Sequence, residues 1–180
     1  VDSIGLIFNN STEVVSTDLA GYIDGNAKLN GNNANIILNE VTGNSRSALN
    51  GYMEIAGQSA ELIIANQNGI TCDGCGFINT TRGTLTTGSA VFNSDEFEGY
   101  DIARGQVEIE GDGLNASNIE QVDILARSVK LNGELWANQA NIITGGNAVR
   151  HDDLNVTESG TSFRIFAPTF ALDVAEIGGM

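Results

Sequence analysis

The feature that most constrains this chain is a loose internal repeat of very short apolar runs. The triplet Leu-Asn-Gly stands at 29–31, 49–51 and 131–133. A paired-isoleucine run follows each copy, at Ile36-Ile37, Ile63-Ile64 and Ile142-Ile143. The tetrapeptide Ala34-Asn35-Ile36-Ile37 returns as Ala140-Asn141-Ile142-Ile143. Related runs recur at roughly 18–26 residues, a spacing that fits stacked units sharing one continuous core. Each unit would be a coil of a β-solenoid. Its strands would pair in parallel with the preceding coil and stack like side chains, asparagine included, along the axis.

Local signals agree. Ile36-Ile37-Leu38, Leu62-Ile63-Ile64, Ile124-Leu125 and Val129-Lys130-Leu131 are short, and Gly or Asn stands near most of them. Tyr52-Met53-Glu54-Ile55 and Val107-Glu108-Ile109-Glu110 alternate with period two, as half-buried strands do. Glycine supplies 22 residues and proline one, Pro168. Glycine and asparagine tolerate left-handed backbone, so the chain is expected to turn often and tightly. Residues 116–127 are the best helical candidate, yet Val122 and Ile124 suit a strand better, and almost no α-helix is expected. A β-sandwich is the competing arrangement; the approximate repeats and the scarcity of proline favour the solenoid. Ile36, Leu38, Leu62, Ile64, Leu125, Leu131 and Ile143 are expected to point into the stack. The polar stretches 94–100 and 151–161 read as excursions or loops. Residues 163–174 read as apolar strands closing the end of the stack, whose open edge would otherwise template aggregation. No linker divides the 180 residues, so one domain spans 1–180.

Charge narrows the function classes. Eight Lys and Arg face 23 Asp and Glu, for a net charge of −15. So few cations make neither the positive footprint of a nucleic-acid binder nor an attachment to anionic membranes. No run of 18 apolar residues exists to span a bilayer as a helix. Val1-Asp2-Ser3 carries neither the basic nor the apolar region of a signal peptide.

Residues with chemical potential are few. Cys72-Asp73-Gly74-Cys75 is the sharpest local feature. A redox Cys-x-x-Cys opens a helix after a strand, which this glycine-rich setting cannot do. Zinc needs about four ligands, and His151 is the one remaining soft donor. Two cysteines bracketing an Asp-Gly turn can reach disulfide distance. A structural disulfide between Cys72 and Cys75 is expected, with a pair of free thiols as the alternative. His151, ahead of Asp152-Asp153, reads as an exposed loop histidine, because no nucleophile or oxyanion site accompanies it. Asp95-Glu96, Glu98 and Asp101 read as a solvated loop, lacking the neighbouring lysine of a carbohydrate-cleaving site. Trp136 could stack on a sugar, but it alternates within Glu134-Leu135-Trp136-Ala137 as a strand residue does. The Asn-x-Ser/Thr sequons at Asn9, Asn10, Asn79, Asn115 and Asn155 read as turns. No catalytic residue, metal or cofactor is expected.

Several blocks together resemble a known family. They are Asn39-Glu40-Val41-Thr42-Gly43, Leu49-Asn50-Gly51-Tyr52-Met53-Glu54-Ile55, Ala65-Asn66-Gln67-Asn68-Gly69-Ile70 and Cys72-Asp73-Gly74-Cys75-Gly76-Phe77-Ile78-Asn79-Thr80. With Gly5-Leu6-Ile7-Phe8-Asn9-Asn10 at the start, they are similar to the two-partner-secretion domain. That domain begins filamentous haemagglutinins, contact-dependent-inhibition effectors and related haemolysins of Gram-negative bacteria. Where the family commonly has Asn-Pro-Asn-Gly, this chain has Asn66-Gln67-Asn68-Gly69; Asn26-Ala27-Lys28-Leu29 stands for a second Asn-Pro-Asn-Leu motif. The resemblance implies an all-β, right-handed, single-stranded parallel β-helix with capping and extra-helical antiparallel strands. It implies a non-enzymatic, monomeric domain, the N-terminal part of a much larger exoprotein bound for the cell surface or medium through the periplasm. The implied partner is a cognate outer-membrane transporter with periplasmic POTRA domains. Asn66 to Ile70 and Asn26 to Leu29 would then be turn or transporter-recognition motifs. A glycan-binding or polysaccharide-cleaving β-helix is the alternative.

Overall fold

The computed structural model describes residues 1–158 and 170–174. The chain begins with β1 (Leu6–Asn10), the hairpin β2 (Val15–Thr17) and β3 (Gly21–Ile23), a 3₁₀ turn at Ala27–Leu29, and β4 (Ile36–Glu40). The next coil is β5 (Ser47–Leu49), β6 (Tyr52–Gly57) and β7 (Ala60–Ala65); the third is β8 (Ile70–Ile78) and β9 (Thr80–Thr86). A hairpin then leaves the stack as β10 (Ser89–Asn93) and β11 (Glu96–Asp101). The fourth coil is β12 (Gln106–Ala116) and β13 (Gln121–Ala126), and the fifth is β14 (Ser128–Leu131), β15 (Leu135–Ala137) and β16 (Ala140–Thr144). β17 (Asn147–Arg150) and β18 (Val156–Glu158) leave again, and β19 (Leu172–Val174) pairs with β14.

Parallel pairing from coil to coil defines three faces. One runs β4-β7-β9-β13-β16. The N-terminal part of β8 pairs with β5 and its C-terminal part with β6, and β12 likewise pairs with both β14 and β15. The long strands therefore bend across two faces, and the molecule is a parallel β-helix, right-handed as parallel crossovers are. Repeats at about 20 residues could not bury an apolar face alone, so stacking is what makes the core.

The core sits in the lumen. Ile64, Leu85, Ile124 and Ile142 occupy one register layer. Ile37, Leu62, Gly83, Val122 and Ala140 occupy the next. Gly83 is required there, because a side chain would collide with the fully buried Phe77 ring, 2.6 Å from where its Cβ would sit. Side-chain amides of Asn79, Asn118 and Asn138 each donate to carbonyls of the coil before, locking the turn between faces.

Several expectations need correction. Leu62, Ile64 and Leu131 do point into the lumen. Ile36 is 37% exposed, and Leu38, Leu125 and Ile143 point the other way. With Ile63 they form an outward apolar row that Tyr100, Ile102 and Val149 cover. Adjacent residues of a strand face opposite sides, so Ile37 and Ile142 are the inward members of their pairs. The covering element is a four-stranded antiparallel sheet, β10-β11-β17-β18. Residues 94–100 do lie in an excursion, with Asp95, Glu96 and Glu98 exposed, but Glu96–Asp101 is a strand rather than a loop, and Tyr100 is buried. Trp136 is 45% exposed on β15 rather than in the core. Of 163–174, only 170–174 fall within the described residues.

Candidate functional site

The turn at 66–69 joins β7 to β8, so it lies between two faces of the helix. Asn66 is 1% exposed. Its Oδ1 accepts the Asn68 N–H (2.9 Å) and its carbonyl accepts the Gly69 N–H (3.0 Å), closing the turn twice. Its Nδ2 donates to the Ser45 carbonyl (2.9 Å) and to Ser47 Oγ (2.8 Å) in the coil before. Its own N–H donates to the Thr86 carbonyl (2.9 Å) in the coil after. Asn66 therefore ties three coils together at one corner. Gln67 is half-buried, and Asn68 donates through Nδ2 to the Gly43 carbonyl (2.7 Å). Gly69 has φ +108, and a Cβ there would lie 2.7 Å from Arg46 Nη1, so both conformation and space demand glycine. Ile70 is fully buried in the lumen.

The second motif repeats this pattern at the opposite corner. Asn26 Oδ1 accepts the Lys28 N–H (3.1 Å), and its carbonyl accepts the Leu29 N–H (3.1 Å). Asn26 Nδ2 donates to the Asn9 carbonyl (3.1 Å), and its N–H to the Ser11 carbonyl (2.7 Å). Ala27 and Lys28 are exposed, while Asn26 and Leu29 are half-buried. The two motifs share a local geometry but sit apart. Asn66 stands where the chain enters β8, and Asn26 stands by the exit from β1. Neither turn needs proline, because the Asn side chain closes the ring that proline would preorganise.

Cys72 and Cys75 are joined, with Cα atoms 5.4 Å apart, and both side chains face the lumen. The bridge lies along β8, immediately after Ile70 and Thr71, so it stiffens the strand that the 66–69 turn launches.

The residues that sequence reasoning missed lie in two places. One is residues 43–47, which bond reciprocally to the 66–71 stretch. Arg46 donates from Nε to Thr71 Oγ1 (2.6 Å) and from Nη2 to the Ile70 carbonyl (2.9 Å), with Glu108 at 3.6 Å. The other is an ionic cluster beneath the extra-helical sheet. Arg82 meets Asp123 at 2.6 Å and Glu61 at 3.7 Å, and donates to the His151 carbonyl at 3.0 Å. His151 is 4% exposed, contrary to the loop reading, with Nε2 3.0 Å from Glu61 and Nδ1 3.2 Å from the Tyr100 hydroxyl. The His151 hydrogen bond, helped by Arg82, holds the Glu61 carboxyl below its ordinary range despite burial. Burial pushes the Tyr100 phenol well above its own. The two members furthest apart in sequence, Glu61 and His151, meet only through the solenoid topology, so no local signal could have paired them.

Neither cluster has the form of a catalytic centre. The corner is an amide network spent on backbone and the Ser47 hydroxyl, and the ionic cluster is a set of charges paired with one another between solenoid wall and extra-helical sheet.

Comparison with known proteins gives this geometry its context. Toxin CdiA of Yersinia pestis is 47% identical over 182 residues, covering 100% of this chain and 5% of that protein. The 16S rRNA endonuclease CdiA of Enterobacter cloacae is 44% identical over 98% of this chain and 5% of its own length. The tRNA nuclease CdiA-2 of Burkholderia pseudomallei is 42% identical over 98% of this chain and 6% of its length. The chain thus spans about a twentieth of these relatives. A crystal structure of the filamentous hemagglutinin secretion domain superposes with a TM-score of 0.85 at 34% identity, over 97% of this chain and 60% of that one. The family model described as TPS secretion domain matches residues 1–180, and the chain belongs to that family.

Proposed function

We propose that this domain is the N-terminal targeting module of a much larger exoprotein, read by a cognate two-partner-secretion transporter through its periplasmic POTRA domains. The observation that carries this reading is the family match over residues 1–180 in a chain that covers only 5% of its Yersinia pestis relative. Relatives named as a toxin, a tRNA nuclease and a 16S rRNA endonuclease all share this stretch. What differs among them must lie elsewhere in their chains. What they share here is suited to the common step, export, so the domain itself is assigned no catalysis. It would cross the periplasm as a monomer, enter the transporter first, and fold at the cell surface of a Gram-negative bacterium. Stacked coils suit that order, because an ordered first coil offers a strand edge on which the next can pair. No nucleic acid or cofactor enters this scheme.

The test is secretion of the exoprotein with and without its transporter. Retention in the periplasm when the transporter is deleted, with release on complementation, is the expected result. Equal release in both strains would overturn the proposal. Passage through the periplasm also leaves Cys72 and Cys75 oxidised, so intact mass after alkylation should show no modified thiol until the protein is reduced.

A further inference from the structure

We infer that the extra-helical sheet is a strap, closed after the fifth coil is laid down, that couples coils of the solenoid which do not touch one another. Stacked coils otherwise lean only on their neighbours, so the stability of such an array is local and its ends are its weak points. The wall strands of the first and fifth coils, β4 and β16, stand at opposite ends of the β4-β7-β9-β13-β16 face. Four strand spacings, about 19 Å, separate them. The sheet β10-β11-β17-β18 nevertheless engages all five coils. Leu38 of β4, Ile63 of β7, Leu125 of β13 and Ile143 of β16 share one apolar cluster with Phe97, Tyr100 and Val149 of the sheet. His151, between β17 and β18, meets Glu61 of the second coil at 3.0 Å, and its carbonyl accepts from Arg82 of the third at 3.0 Å.

The order of closure follows from the topology. β10 and β11 leave the chain between the third and fourth coils, and β17 and β18 leave after the fifth. The two excursions meet where Gly99, Tyr100 and Asp101 of β11 pair with Arg150, Val149 and Ala148 of β17. The strap therefore closes only once the chain has passed its fifth coil. Among the described residues, no strand of the sheet pairs with a strand of the solenoid. Its hold on the wall is the apolar cluster together with the contacts of His151, so it can release as one piece without undoing a backbone ladder. A side chain of the fifth coil that packs under the strap is then linked in energy to the first coil, through the sheet rather than through the coils between.

The experiment is native-state hydrogen exchange of the 180-residue chain, read by mass spectrometry on β4, β9 and β16. Two neighbours on β16 make a matched pair, because Ile143 packs under the strap and Ile142 packs in the lumen. Ile143→Ala removes the fifth coil's contact with the strap, and Ile142→Ala removes the same atoms from the core. Ile143→Ala should speed exchange in β4, at the far end of the face, by at least about tenfold and by more than in β9 at its middle. Ile142→Ala should speed exchange in β16 and leave β4 within about threefold of the wild type. A smaller response of β4 to Ile143→Ala overturns the inference, since the sheet would then be a local cover. A response of β4 no larger than that of β9 also overturns it, as a general loss of stability. So does acceleration of β4 by Ile142→Ala beyond that threefold, because the effect would then pass from coil to coil.

Discussion

Two largely buried polar clusters stand in this domain, and they use opposite chemistry. The corner around Asn66 is made of neutral amides bonded to backbone and to the Ser47 hydroxyl. The cluster of Glu61, Arg82, Asp123 and His151 is made of ionisable side chains bonded mostly to one another. The first joins consecutive coils, whose registry repeats along the axis. The second fastens a separate antiparallel sheet onto an outward apolar row. Amides suit the first task, because a coil needs many modest, geometrically exact bonds that ignore pH. Charges suit the second, because two surfaces that share no backbone ladder need a strong directional fastener. Such a fastener is costly to disrupt from one side, since it strands a charge without its partner.

The largest effect should come from breaking that fastener. Asp123 is fully buried and accepts from Arg82, Gln121 and Asn141. Asp123→Ala leaves Arg82 without its closest counter-ion, and about 3–5 kcal/mol of stability should be lost. Urea unfolding measures this. A loss below about 1 kcal/mol, the size of an exposed pair, would show that the cluster holds nothing down. Asn66→Ala comes next. It deletes two donated bonds and one accepted bond at a buried site, and about 2–3 kcal/mol should go. That loss should be the same at neutral and mildly acidic pH, since no titrating group contacts the Asn66 side chain. A pH-dependent loss would erase the contrast between the clusters.

The ionic cluster carries the complementary pH signature. The Glu61 carboxyl is held below its ordinary value of 4.5 in the folded state, first by the His151 hydrogen bond and then by the charges of His151 and Arg82, against desolvation. A depressed carboxyl stabilises the fold fully above the unfolded value and loses that contribution as pH falls through the folded value. The melting temperature of the wild type should therefore exceed that of Glu61→Gln at pH 6. The two should converge below pH 4.5, over the window in which Glu61 protonates. A constant gap across that window would assign the difference to packing rather than charge.

Much of this was legible in the sequence. Short runs with Gly and Asn turns fitted a sandwich as well as a solenoid, and the loose repeat and scarcity of proline favoured the parallel solenoid. Parity was not legible. The matching tetrapeptides at 34–37 and 140–143 suggested equivalent strands, yet Ile37 pairs at the layer of Ala140, and Ile142 at the layer of Asn39. A shift by an odd number of residues turns each isoleucine to the other face. The Leu-Asn-Gly triplets were similarly mixed. Those at 49–51 and 131–133 make the same bend between faces, while that at 29–31 ends the 3₁₀ turn. The clasp at 43–47 and the ionic cluster were invisible because their partners lie one or more coils apart, and coil length varies with each excursion.

The smallest effect should separate the two motif corners from each other. Asn26 makes the same turn as Asn66, with Oδ1 on the N–H two residues on and the carbonyl on the N–H three residues on. Its Nδ2 makes one bond back, to Asn9, where that of Asn66 makes two. Asn26 is half-buried and caps a three-residue 3₁₀ turn with no buried residue, whereas Asn66 launches a nine-residue strand of the helix wall. Asn26 is the more exposed of the two, so water replaces what it loses more readily than what the buried Asn66 loses. Asn26→Ala should therefore cost only about 1 kcal/mol, the usual value of a cap. Side-by-side thermal melts of the two alanine variants test this. An equal fall for both would mean that turn geometry, not burial, sets the value of an asparagine at these corners.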